Sequence, residues 1–310
     1  MPVPDLDPRL TDVEAAELVA RRATEHRDWI PAPDAGLAAI RHRTRKSRLP
    51  DDKDVTTLDV VVPGGQHLLP ARWYEPTHPT GVTVVFFHGG GWAIGDLEMN
   101  DALAREITRR SGARLLSVDY RLAPEHPYPA AIDDGLAALR WVSAEGGPIV
   151  VAGHSAGGNI AAVLAQKSAA GLAPPIDAQL LLCPVVDCDL TRDSYRRNGE
   201  GLLLTTREME WYWDMYQPDP ARRTEPGASP LRAAHLAPTA PATVIVAGAD
   251  PLRDEALEYA RLLEQAGTPV TVHVQEGVPH LYLTFPMISC VEESLTRAVA
   301  SLQRSLDSPE

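Results

Sequence analysis

Pro148-Ile-Val-Val-Ala-Gly-His-Ser-Ala-Gly-Gly-Asn159 is the stretch whose reading decides the fold. Ile149 to Ala152 is a short apolar run, read as a buried strand. Gly153-His154-Ser155-Ala156-Gly157 follows, and beyond it Ile160, Ala161, Val163 and Leu164 recur at helical spacing. A serine between two glycines on a strand-to-helix turn is the signature of a nucleophile elbow. So tight a turn leaves no room for side chains at 153 or 157, and it forces Ser155 into a strained conformation. The hydroxyl then stands at the top of a sheet, beside the positive end of a helix. The five-residue pattern also arises by chance in loops; the strand before it and the helix after it favour the elbow.

A serine hydroxyl is a weak nucleophile near neutral pH, so it needs a base, an acid to orient that base, and donors for an oxyanion. Of ten histidines, most are poorly placed. His154 adjoins the serine, where neighbouring side chains diverge. His88 opens a glycine run, His67 and His273 fall in predicted strands, and His126 precedes Pro127. His26, His42, His78 and His235 lie in loop or lid sequence. His280, in Glu276-Gly-Val-Pro-His-Leu281, sits after the last predicted strand, where a Ser…Asp/Glu…His chain order delivers its base. Asp250 ends the strand Val244-Ile-Val-Ala-Gly-Ala-Asp250 and is the candidate orienting acid. Asp254 and Glu255 suit the N-terminal dipole of the next helix, and Asp187 follows the wrong strand.

His88-Gly89-Gly90-Gly91-Trp92 follows another apolar strand, Val82 to Phe87. Consecutive glycines let backbone N–H groups turn toward a ligand. Those of Gly90 and Gly91, joined by Ala156 after the nucleophile, are the candidate oxyanion donors. A phosphate loop fails on spacing, for no Gly-Lys-Ser/Thr ending and no Gly-x-Gly-x-x-Gly is present.

Around these motifs the chain alternates. Strands are expected at 56–62, 67–74, 82–87, 114–119, 149–152, 178–183, 243–247 and 270–274, the first two as a hairpin around Pro63-Gly64-Gly65. Helices are expected at 101–111, 130–143, 156–170, 253–266 and about 286–306, with two more within 11–47. Such alternation implies an α/β fold with a mostly parallel sheet covered by helices on both faces. It breaks between 187 and 238, where one helix, 205–216, carries Trp211, Tyr212, Trp213 and Tyr216. That insertion would lie over the carboxyl ends of the strands. Its aromatic residues either line a substrate pocket or fasten a lid to the body. We therefore read 1–50 as the helical N-terminal part of a cap, 187–238 as its insertion, and 51–186 with 239–310 as the catalytic domain.

At 310 residues, 44% hydrophobic and 23% charged, the chain has the composition of an ordinary globular enzyme. A net charge of −13 excludes a nucleic-acid surface. The basic run Arg41-His-Arg-Thr-Arg-Lys46 reads as the solvated face of a helix. Three cysteines make no disulfide framework, Cys183 reads as a small buried hydrophobe, and Cys183 with Cys188 lacks the partner ligands of a zinc site. Met1-Pro-Val-Pro-Asp5 is unlike a signal peptide, and no run approaches the ~20 apolar residues of a membrane span. The expected compartment is the cytoplasm. A homodimer through the last strand or helix is compatible with the sequence, which does not specify one.

Taken together, His88-Gly-Gly-Gly91, Tyr120-Arg-Leu-Ala-Pro-Glu-His-Pro-Tyr-Pro-Ala-Ala131, Gly153-x-Ser-Ala-Gly-Gly158, Asp250-Pro-Leu-Arg-Asp-Glu255 and His280 resemble the hormone-sensitive lipase family of α/β-hydrolases, the bacterial carboxylesterase type. The resemblance covers about residues 70–305. It implies an α/β-hydrolase fold with a helical cap and a serine esterase acting through an acyl-enzyme, with no metal or cofactor. Ser155, His280 and Asp250 would be its triad, and Gly90, Gly91 and Ala156 its oxyanion hole. His88, Gly89, Gly153 and Gly157 would be motif support. Small esters with acyl chains of about two to eight carbons are the expected substrates. Family members commonly carry Asp or Thr where this chain has His154, and a histidine there recurs in formamidases. An amidase or deacetylase of a small metabolite is therefore the alternative, and a non-catalytic receptor, like the plant gibberellin receptors, the remote one.

Overall fold

Four strands of near-continuous apolar sequence form the middle of one eight-stranded sheet: β3 (Thr83–Phe87), β5 (Ile149–His154), β6 (Ala178–Leu182) and β7 (Ala242–Ala249). These and the remaining elements are taken from a computed structural model that describes residues 7–25, 33–44, 49, 53–65, 67–234 and 236–307. The leader reading at Met1–Asp5, His26, His235 and the Arg45–Lys46 end of the basic run lie outside them. β1 (Val55–Pro63) and β2 (Leu68–Pro76) form the expected antiparallel hairpin, and β4 (Arg114–Val118) and β8 (Val270–Pro279) complete the order β1-β2-β4-β3-β5-β6-β7-β8. β2 meets β4 antiparallel, and every later pairing is parallel.

Because side chains alternate across a strand, the sheet feeds two separate cores. Val85, Phe87, Val151, Leu181, Val244 and Val246 point to one face, packed by α4 (Ala130–Ser143), α5 (Ala156–Ala169) and α8 (Arg253–Gln265). Val84, Phe86, Val150, Leu180, Leu182 and Ile245 point to the other, packed by α3 (Asp101–Ser111) and α9 (Val291–Asp307). Both faces of the central strands are covered, which is why they read as unbroken apolar runs rather than as alternating ones.

α1 (Val13–Glu25) and α2 (Pro33–Thr44) precede the sheet, and α6 (Asp193–Asn198) and α7 (Thr206–Tyr216) interrupt it between β6 and β7. Thr205 caps α7: its Oγ1 accepts from Glu208 N while Glu208 reaches back to Thr205 N. The short α6 was not expected from the sequence. α9 begins later than the apolar periodicity suggests, because two turns, closed by Ile288 N on Phe285 O and by Val291 N on Ile288 O, precede it.

Arg41, at the head of the basic run, departs from the expected solvated face. Arg41 donates from Nε to the Ala93 carbonyl at 2.8 Å and from a terminal nitrogen to the Ala123 carbonyl at 2.9 Å, and it pairs with Glu125 at 2.7 Å. It fastens α2 to the loop after β3. His42 behind it is exposed, as expected. Once two carbonyls and a carboxylate lie within reach of one guanidinium, docking outweighs solvation.

Candidate active site

Ser155 is placed by strain and by neighbouring strands. Its φ of 57° and ψ of −118° lie in a region that L-residues avoid. Ser155 N donates to Leu182 O at 2.8 Å and Ser155 O accepts from Val185 N at 3.2 Å, so the end of β6 braces the turn. A Cβ at Gly153 would stand 2.1 Å from Gly157 O, and one at Gly157 would stand 1.9 Å from Phe87 O. Both glycines are therefore sterically required. β5 runs through His154, further than the apolar run suggests, and α5 starts at Ala156.

The three residues that the sequence singled out lie in one buried chain of hydrogen bonds. His280 Nε2 is 2.8 Å from Ser155 Oγ, and His280 Nδ1 is 2.7 Å from Asp250 Oδ2. Asp250 follows β7 directly, and its other oxygen accepts from Leu252 N at 2.8 Å. His280 follows β8, which extends to Pro279 through an irregularity opposite Ala247–Ala249. That irregularity lets the last strand rejoin β7 at Ala249 and deliver the imidazole over it. A carboxylate on Nδ1 leaves Nε2 free to accept from a hydroxyl, the tautomer that a general base needs.

The glycine run is held from behind. Tyr120 Oη donates to His88 O at 2.9 Å and its ring stacks on the His88 ring, 4.3 Å between centroids. His88 Nδ1 lies 2.7 Å from Gly89 O, and burial drives the His88 pKa down to about 4, so the ring is a neutral structural group. Gly90 O accepts from Ala93 N and Ile94 N, closing the loop on itself. Among the described residues, no backbone carbonyl accepts from the N–H of Gly90, Gly91 or Ala156.

Of the aromatic residues between 187 and 238, Tyr216 stacks on Trp92 at 4.0 Å and Trp213 lies 5.0 Å from the same indole. These two fasten the segment to the body. Tyr212 instead lies against Gly91. Asn198 was missed by the sequence reading: from α6, its Nδ2 donates to Asp250 O at 3.1 Å. Its only signal, an asparagine ending a six-residue helix, is too weak to find. Glu255 also exceeds its expected role at a helix start. Wholly buried, it accepts from Val186 N at 2.8 Å and from Tyr195 Oη at 3.2 Å, and burial pushes its pKa well up. Asp187 is buried and pairs with Arg192 and Arg232 rather than with His280.

Cys183, Asp250 and His280 offer ligand atoms within 4.8 Å of one another. Asp250 and His280 already satisfy each other and Ser155, and burial raises the Cys183 thiol pKa well above its usual value, so the thiol is protonated and packs as the sequence suggests. No helix among the described residues is long and apolar enough to cross a membrane.

A strained serine at the head of a parallel strand, a histidine after the last strand and an acid after the one before it define an α/β-hydrolase. A family model of the alpha/beta hydrolase fold matches residues 84–284. Esterase LipI of Mycobacterium tuberculosis is 35% identical over 97% of this chain and 98% of its own. Ethyl acetate hydrolase of Pseudomonas putida is 36% identical over 77% of this chain and 80% of its own. The solved structure of a hyperthermophilic esterase from the archaeon Pyrobaculum calidifontis superposes with a TM-score of 0.87, at 32% identity, over 95% of this chain and 98% of that one. The chain belongs to the α/β-hydrolase fold family, in its hormone-sensitive lipase-like branch of bacterial carboxylesterases. It is a carboxylic ester hydrolase.

Proposed function

We propose that the protein hydrolyses small carboxylic esters through an acyl-enzyme, with Ser155 as nucleophile, His280 as general base and then acid, and Asp250 as the group that orients His280. The observation that carries this reading is the unbroken chain from Ser155 Oγ to His280 Nε2 and from His280 Nδ1 to Asp250 Oδ2. Ser155 Oγ attacks the ester carbonyl as its proton passes to His280 Nε2. The carbonyl oxygen takes up the negative charge, which the N–H groups of Gly90, Gly91 and Ala156 receive. His280 returns the proton to the leaving alkoxide, and the alcohol departs. Water then gives a proton to His280 as it attacks the acyl carbon, and His280 passes that proton to Ser155 Oγ as the C–Oγ bond breaks and the acid departs.

α1 and α2 with the 187–238 segment form the cap over this site, and acyl chains of about two to eight carbons are its range. Support for small substrates comes from the relative named ethyl acetate hydrolase. Three free cysteines suit a reducing compartment, the cytoplasm. The amide reading depended on His154, whose ring is engaged in packing, so no observation favours it.

A stopped-flow assay with p-nitrophenyl acetate tests the reading. The wild type should release a burst of nitrophenol stoichiometric with enzyme, and Ser155→Ala should release none. A burst that survives in Ser155→Ala would overturn the assignment of the nucleophile.

A further inference from the structure

The last residue of β5 is the one place where this chain departs from the commoner elbow sequence, and its surroundings are specific. The His154 ring is buried and stacks on the His280 ring, 5.3 Å between centroids and 29° between planes. Its Nδ1 edge lies against the glycine run: a Cβ at Gly89 would stand 2.6 Å from His154 Nδ1. His154 Nε2 is buried and has no hydrogen-bond partner among the described residues. The ring is therefore a wedge between the loop that holds the oxyanion donors and the imidazole that moves the proton.

We propose that His154 is a positioning residue that presents an uncharged face to His280, leaving Asp250, among the described residues, as the one carboxylate paired with the base. The inference rests on the triad reading above. Burial, and secondarily His280, drive the His154 pKa down to about 3, so at any pH where an esterase works this ring carries no charge. The other titratable groups around the base fit the same pattern. Cys183, at the end of β6, is a protonated thiol. His88, at the head of the glycine run, is held neutral by burial.

His280 must be neutral to accept the Ser155 proton, so the acid limb of kcat/KM marks its protonation. A carboxylate at 154 would stabilise the imidazolium from a second side and raise that limb by about 1–3 pH units. The neutral wedge thus lets the enzyme keep activity at a lower pH than an aspartate at the same position would allow.

The test is the pH profile of kcat/KM for the wild type, His154→Asp and its uncharged isostere His154→Asn, with Ser155→Ala as the control for the parent reading. The expected result is an acid limb that moves up in the aspartate variant and stays in place in the asparagine variant. A limb unmoved by Asp, or moved equally by Asn, overturns the proposal while leaving the triad intact. Should His154→Asp fail to fold, imidazole NMR of the wild type decides. The His154 resonances, assigned by their loss in His154→Phe, should not titrate between pH 5 and 8; titration in that window overturns the proposal.

Discussion

The ring of Tyr212 fills the space that a side chain at Gly91 would need: a Cβ there would stand 2.2 Å from both Cγ and Cδ1 of the ring. Gly91 also has a φ of 56°, where side chains are strained. A residue of α7 thereby sets the shape of the glycine run. We expect Gly91→Ala to lower kcat on p-nitrophenyl butyrate by about 10²–10³, the usual cost of one lost oxyanion donor. A kcat within tenfold of the wild type would show that the Gly91 N–H takes no charge.

Tyr212→Ala should restore part of that loss in the Gly91→Ala background, since it removes the obstructing ring. A double-mutant cycle on kcat checks this coupling, and strict additivity would show that the contact is energetically idle.

Asp250→Asn should keep the fold and lower kcat by about 10⁴, because an amide favours the wrong tautomer of the imidazole. Circular dichroism and steady-state rates measured on one preparation separate that outcome from unfolding. The Asn198→Ala change should be milder, about 1 kcal/mol in transition-state stabilisation, for it removes one hydrogen bond to the Asp250 carbonyl.

Unfolded His88 takes up a proton as pH falls through about 6.5, whereas in the fold it stays neutral to about 4. Between those values the unfolded state binds more protons, so the stability is complete above 6.5 and is lost progressively toward 4. Relative to His88→Gln, the wild type should lose about 2 kcal/mol between pH 7 and pH 5 in urea unfolding. A gap independent of pH would mean that His88 is reached by solvent.

Arg41→Ala removes the clamp that ties α2 to Ala93, Ala123 and Glu125. We expect a loss of about 1–2 kcal/mol in stability, most of it from the two carbonyls, since the ion pair with half-exposed Glu125 is screened by water. Faster proteolytic cleavage within the first 50 residues would report the same event locally.

The sheet and the hydrogen-bonded grouping of Ser155, His280 and Asp250 were legible because both obey local rules. Central strands buried on two faces leave unbroken apolar runs such as Val84–Phe87, and the glycines at 153 and 157 mark a turn that no other residue fits. Ser155, Asp250 and His280 each follow a strand, so chain order located them. What stayed hidden depends on contacts between distant segments. Arg41 looked solvated until Ala93 and Ala123 came within reach, and Glu255 looked like a helix-start charge until Val186 and Tyr195 closed over it. The aromatic residues of α7 divide between two roles that their sequence gives equally: Trp213 and Tyr216 pack on Trp92, while Tyr212 shapes Gly91.

Thr11 N and Asp12 N donate to the carbonyl of Gly277, three residues before His280, and a Cβ on Gly277 would strike Thr11. A turn ahead of α1 is thus sewn to the strand that leads to His280. The segment that leads to His280 thus depends on a contact between residues far apart in the sequence, whose loop-closure entropy must be met before the contact can contribute.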